Sequence, residues 1–139
     1  MPYREKTAWL SLLAMVAAFV PYFMVSAAGP PPPMPGLHQL ALFAAAVTVQ
    51  VIILAAGHAY LRLASRNDAV VARDERDREI ERQAITWAYY VLISGIIIVG
   101  FIMPFTSPGW GIVNAALLAV VAAEAVHYAG IALSYRAQA

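Results

Sequence analysis

Cysteine is absent from this 139-residue chain. That excludes disulfides, zinc–thiolate sites, iron–sulfur clusters and thiol nucleophiles. Charge is scarce too: Asp, Glu, Lys and Arg make up 12% of the residues, about half the usual globular share. The formal net charge of +1 offers no electrostatic basis for direct nucleic-acid binding. The chain also lacks a nucleophile–base–orienter set, a Gly-rich phosphate loop and a His/Asp/Glu metal cluster outside its apolar runs. The expectation is a non-enzymatic protein with no cofactor.

Apolar residues fill the space that charge leaves. They make up 62% of the chain, and the mean hydropathy is +0.69. A transmembrane helix needs about 20 mostly apolar residues. Four runs qualify: Thr7–Ala28, Leu37–Leu61, Ala84–Met103 and Ile112–Tyr135. The first is longer than the apolar core of a signal peptide, about 7–15 residues, and three comparable runs follow it, so it reads as a span. The expected fold is therefore all-α: one membrane domain over residues 1–139, built as a four-transmembrane-helix bundle.

The breaks between the runs give the topology. "GPPPPMPG" (29–36) and "PFTSPGWG" (104–111) are short Pro/Gly segments that cannot continue a helix. They imply two antiparallel hairpins. The middle break, Arg62–Gln83, holds six Arg and six Asp/Glu. All other Lys and Arg lie at Arg4, Lys6 and Arg136. The positive-inside rule then places both termini and the 62–83 segment in the cytoplasm. Trp9 and Trp87 would sit at the inner interface, and Trp110 and Tyr22 at the outer one.

The charged segment reads as a helix over about 67–83, with Asn67-Asp68 as its N-cap, running straight into the third span. Arg73/Asp77 and Asp74/Arg78 fit i,i+4 ion pairs, and Glu75/Arg78, Arg76/Glu79 and Glu79/Arg82 fit i,i+3 pairs. The segment's zero net charge argues against a polybasic lipid patch there. Arg73, Asp74, Glu75, Arg76, Asp77 and Arg78 are the expected cytoplasmic contact residues.

The hairpins share marks. Arg4-x4-Trp9 opens span 1, and Arg82-x4-Trp87 opens span 3. Gln50 lies twelve residues before Arg62, and Glu124 twelve before Arg136. This fits either a parallel duplication about an axis along the membrane normal or the shared demands of anchoring two hairpins. Gln50 and Glu124 come out at matching depth near the bilayer centre.

A carboxylate at that depth costs at least about 2.5–3.5 kcal/mol, so Glu124 should face protein or water. Ala115, Ala119 and Ala123 form a small-residue stripe suited to close helix contact, continuing into His127 with Glu124 beside it. Gln50, Glu124 and His127 thus form an expected intramembrane polar layer. Its plain structural reading is a Glu124–Gln50 hydrogen bond locking spans 2 and 4. Its functional reading is a proton- or cation-responsive site, with Glu124, His127 and His58 as candidate proton or ligand residues. Glu124-x-x-His127 has the spacing of di-iron bundles, but no second such motif exists. A haem between His58 and His127 meets an offset of five residues, about 7 Å along the helix. Tyr89, Tyr90 and Ser94 read by default as packing residues, with at most one Tyr facing the bundle.

The run "RDERDREIERQAITWAYYVLISGIIIVG" (73–100) resembles a class of small uncharacterised bacterial inner-membrane proteins. The matching positions are Asp74, Glu75, Arg76, Asp77, Ile80, Ala84, Tyr90, Val91 and Leu92. Some members look as if they are encoded beside small helix-turn-helix regulators. The resemblance covers about a fifth of the chain, without the Pro-rich loop or Glu124/His127. It implies a four-helix membrane protein without known catalysis, in a bacterial inner membrane, paired with a cytoplasmic regulatory protein. The other expected partners are the lipid bilayer and further copies of the chain. The alternative to a regulatory role is a small oligomeric proton- or cation-coupled transporter or channel using Glu124.

Overall fold

A computed structural model describes residues 3–28, 36–64, 66, 74–107 and 109–137. Its four long helices are α1 (Tyr3–Ala27), α2 (Leu37–Ala64), α3 (Glu75–Ile97) and α4 (Gly109–Ala137). Each is long and apolar enough to cross a membrane. They coincide with the four apolar runs because an uninterrupted run in lipid must satisfy every backbone group internally.

The start of α3 differs from the expectation. Asn67 and Asp68 lie outside the described residues, as do Arg73 and its expected pair with Asp77. The helix entering the third span is capped later, at Asp74. The Asp74 carboxylate accepts from the Asp77 amide at 2.8 Å, and the Asp77 carboxylate accepts from the Asp74 amide at 3.2 Å. This reciprocal box satisfies two otherwise orphaned amides and sets negative charge at the positive end of the helix dipole. It also takes Asp74 out of the expected pair with Arg78. Of the expected ion pairs whose partners are both described, Glu79/Arg82 forms, through two hydrogen bonds of 3.0 and 2.8 Å. α3 ends in a wide turn, Ile98–Ile102, and a tight one, Met103–Phe105. Pro104 sits in the tight turn, and its missing N–H breaks the regular ladder there.

Packing follows a row rather than a ring. Among the described residues α1 packs against α2 and α4, and α4 packs against α3; the backbone of α2 makes no close approach to that of α3 or α4. Small residues set the closest approaches. Gly57 of α2 lies under Leu10 of α1, Gly95 of α3 lies on Ala119 of α4, and Gly130 of α4 lies on Ala84 of α3. A Cβ at Gly95 would come within 2.7 Å of the Ala119 Cβ. Ala119 of the small-residue stripe thus serves the α3–α4 seam.

The main apolar cluster is Met15, Ala18, Phe19 and Tyr22 of α1 with Ala46 of α2, flanked by Phe43, Leu117 and Val121. As edge helices, α2 and α3 keep one broad side uncovered. That overturns the packing default for Tyr89 and Tyr90: both rings are exposed, at 58% and 64%, and stack edge-on against each other. Ser94 bonds back to the Tyr90 carbonyl at 2.8 Å.

Candidate functional site

The expected Gln50–Glu124 lock does not form. α1 packs against both α2 and α4, and the backbones of α2 and α4 make no close approach. Gln50 is half-buried without a hydrogen-bond partner among the described residues. The Glu124 side chain is 48% exposed, and its nearest ionic partner is His127, Oε2 to Nδ1 at 3.7 Å. The polar layer therefore reduces to a Glu124/His127 pair on the open side of α4, beside the small-residue stripe rather than within it.

That pair heads a polar track. Glu124, Tyr128, Ile131 and Tyr135 follow at helical spacing along one side of α4. The Tyr128 hydroxyl meets Ser11 of α1, and its ring lies 4.9 Å from that of His127. Below it opens a cavity of about 270 Å³. Thr7 and Ser11 of α1, His58 of α2, Glu81 of α3, and Tyr128 and Tyr135 of α4 all line it. His58 is thus part of a site, while His127 sits above the cavity rather than on its wall. Among the described residues no three His, Asp or Glu side chains are grouped to hold a metal ion.

At the charged end of the cavity Asp77 joins three helices. Its carboxylate accepts from the Tyr135 hydroxyl of α4 and lies 3.3 Å from Nε of Arg4 of α1. The Asp77 side chain is only 14% exposed. Burial alone would raise the Asp77 pKa. The Tyr135 hydroxyl, the Asp74 amide and the Arg4 guanidinium outweigh burial and hold it below its ordinary value. Arg76 lies over the Tyr135 ring, 5.6 Å from its centre. Asp77 is therefore turned inward and is not available as a contact residue, which corrects one expected role. Glu75, Arg78, Glu79 and Arg82 occupy the outward side.

Toward the opposite end an aromatic cluster joins α1 to α2 and α4. Tyr22 donates to Oδ1 of Asn114 at 2.6 Å, and its ring is packed edge-on by Phe19, Phe23 and Phe43. Glu5, 2% exposed, accepts from Trp9 Nε1 at 3.4 Å. Asn114, Glu81, Ser11 and Tyr135 were not singled out in the sequence. The period from Glu124 through Tyr128 to Tyr135 was the available signal; the cross-helix partners had none. Comparison with family models, curated proteins and solved structures finds no match to this chain.

Proposed function

We propose that this is a non-enzymatic, multi-pass protein of a bacterial inner membrane, with both termini cytoplasmic, that acts in regulation through the outward side of α3. The Lys/Arg distribution supports the orientation. An early residue of one helix meets a late residue of its neighbour in Ala84 with Gly130 and in Leu10 with Gly57, and late Gly95 meets the earlier Ala119, which supports antiparallel hairpins. One observation carries the regulatory reading. The charged start of α3 continues without a break into a span, and Asp77 clamps it to α1 and α4. A partner that moved the 75–82 face would thereby strain the whole inner end. The resemblance to inner-membrane proteins encoded beside small regulators supports a cytoplasmic partner of that kind. In pull-downs from the native host, Arg78→Glu/Arg82→Glu should lose a protein that both wild type and Glu124→Gln retain. Identical recovery from all three would end this reading.

A second reading rests on the track. Glu124/His127 above a polar cavity at the charged end has the form of an access path to an intramembrane acid. The function would be proton- or cation-coupled transport by an oligomer, in which the open sides of α2 and α3 meet further copies. Unchanged ion flux into proteoliposomes carrying Glu124→Gln would refute it.

A further inference from the structure

A second concavity lies on the other side of α1. Arg4, Thr7, Ala8 and Ser11 line the cavity, whereas Lys6, Trp9, Leu10 and Leu13 line a groove of about 600 Å³ shared with α2. At 100° per residue the two sets point in opposite directions. The groove walls are Leu10, Leu13, Gly57 and Leu61, and its charged end carries Lys6, Trp9, Tyr60 and Arg136. Glycine at 57 lets Leu10 lie against the α2 backbone, since a Cβ there would fall within 2.5 Å of the Leu10 side chain. The Arg136 guanidinium rests over the Trp9 ring at 6.0 Å and has no carboxylate partner among the described residues.

The charge around this end is sorted by helix. The described start of α3 carries Asp74, Glu75, Asp77, Glu79 and Glu81 against three arginines. The charged ends of α1, α2 and α4 carry Arg4, Lys6, Arg62 and Arg136 against Glu5. Basic charge thus gathers on α1, α2 and α4, and acidic charge on the start of α3.

We propose that this groove is a binding site for one anionic phospholipid, with an acyl chain along Leu10, Leu13 and Leu61 and the headgroup phosphate between Lys6 and Arg136. An apolar slot ending in two cations, flanked by Trp and Tyr, has the charge and polarity profile of one leaflet from chain to headgroup. The guanidinium supplies directed donors to phosphate oxygens. A zwitterionic lipid would bring its own ammonium against the same cations, which makes the site selective for net negative charge. The apolar walls favour a lipid over a soluble phosphate.

Native mass spectrometry of the purified full chain tests this, with phosphatidylglycerol and phosphatidylcholine of identical chains as probes. Wild type should retain the anionic lipid on the order of ten-fold better, the worth of one or two basic side chains at an anionic surface. Lys6→Gln/Arg136→Gln should abolish most of that preference while still melting cooperatively. Arg136→Lys, which keeps the charge, should preserve it, and Arg78→Gln/Arg82→Gln on α3 should leave it unchanged. Millimolar glycerol phosphate should fail to displace the lipid. Equal retention of both lipids by wild type would overturn the proposal. So would a preference that survives in the double Gln variant or disappears in the α3 variant. Displacement by glycerol phosphate would reassign the site to a soluble phosphate and overturn it equally.

Discussion

Replacing Asp77 by alanine should uncouple three helices at once. The substitution removes the acceptor of the Tyr135 hydroxyl, the partner of Arg4 and one half of the capping box. A hydrogen bond to a charged group contributes about 1.5–3 kcal/mol. The Arg4 pair is partly exposed, with Arg4 at 31%, and adds no more than about 1 kcal/mol. The lost half-cap adds about 0.5–1 kcal/mol. A total near 3 kcal/mol follows for Asp77→Ala. Asp77→Asn keeps an acceptor for Tyr135 and for the Asp74 amide, so it should cost about 1 kcal/mol. On the scale of soluble domains of similar length these correspond to roughly 10 °C and 4 °C in melting temperature. Thermal unfolding followed by far-ultraviolet circular dichroism in one detergent reads both. Combining Asp77→Ala with Tyr135→Phe should give less than the sum of the single effects, by about 1 kcal/mol or more. Full additivity, or equal losses from Ala and Asn, would refute the three-helix clasp.

Four further outcomes are expected. The Asp77 pKa is lower in the fold than its ordinary value of 3.8, so its stabilisation is complete above that pH and lost as pH falls below it; the melting difference between wild type and Asp77→Asn should be constant from neutrality down to about pH 5 and shrink below about pH 4. Gly95→Ala should destabilise the α3–α4 seam by about 1–3 kcal/mol, because its methyl would meet the Ala119 Cβ at 2.7 Å. Gly100→Ala, with nothing within 4 Å, should be neutral or stabilising by up to about 1 kcal/mol in the same melting assay. Tyr22→Phe leaves Oδ1 of Asn114 without its 2.6 Å donor and should cost about 1–2 kcal/mol, read as faster amide exchange in the adjoining turns of α1 and α4.

The sequence by itself determined the four apolar helices and the Pro/Gly breaks between them, though not the start of α3, which a capping box at Asp74 fixes. Apolar run length and Pro/Gly breaks are local properties, and in lipid a run has no option other than helix. It also showed that charge gathers at one end of the helices, and that Ala119 and Ala123 belong to a close seam. Only the tertiary structure decided who faces whom. Depth along the helix made Gln50 and Glu124 a plausible pair, but depth says nothing about azimuth or neighbour order. With α1 packed against both α2 and α4, Glu124 turns instead to His127 on its own helix. Asp77 shows the same limit from the other direction. Its spacing offered arginines on its own helix, while its strongest partners, Tyr135 and Arg4, are distant in sequence and are brought to it by packing alone. Helix periodicity is written in one strand of sequence; the order in which four similar apolar helices pack is written in a few small residues, Gly57, Gly95 and Gly130, whose effect appears only when two backbones meet.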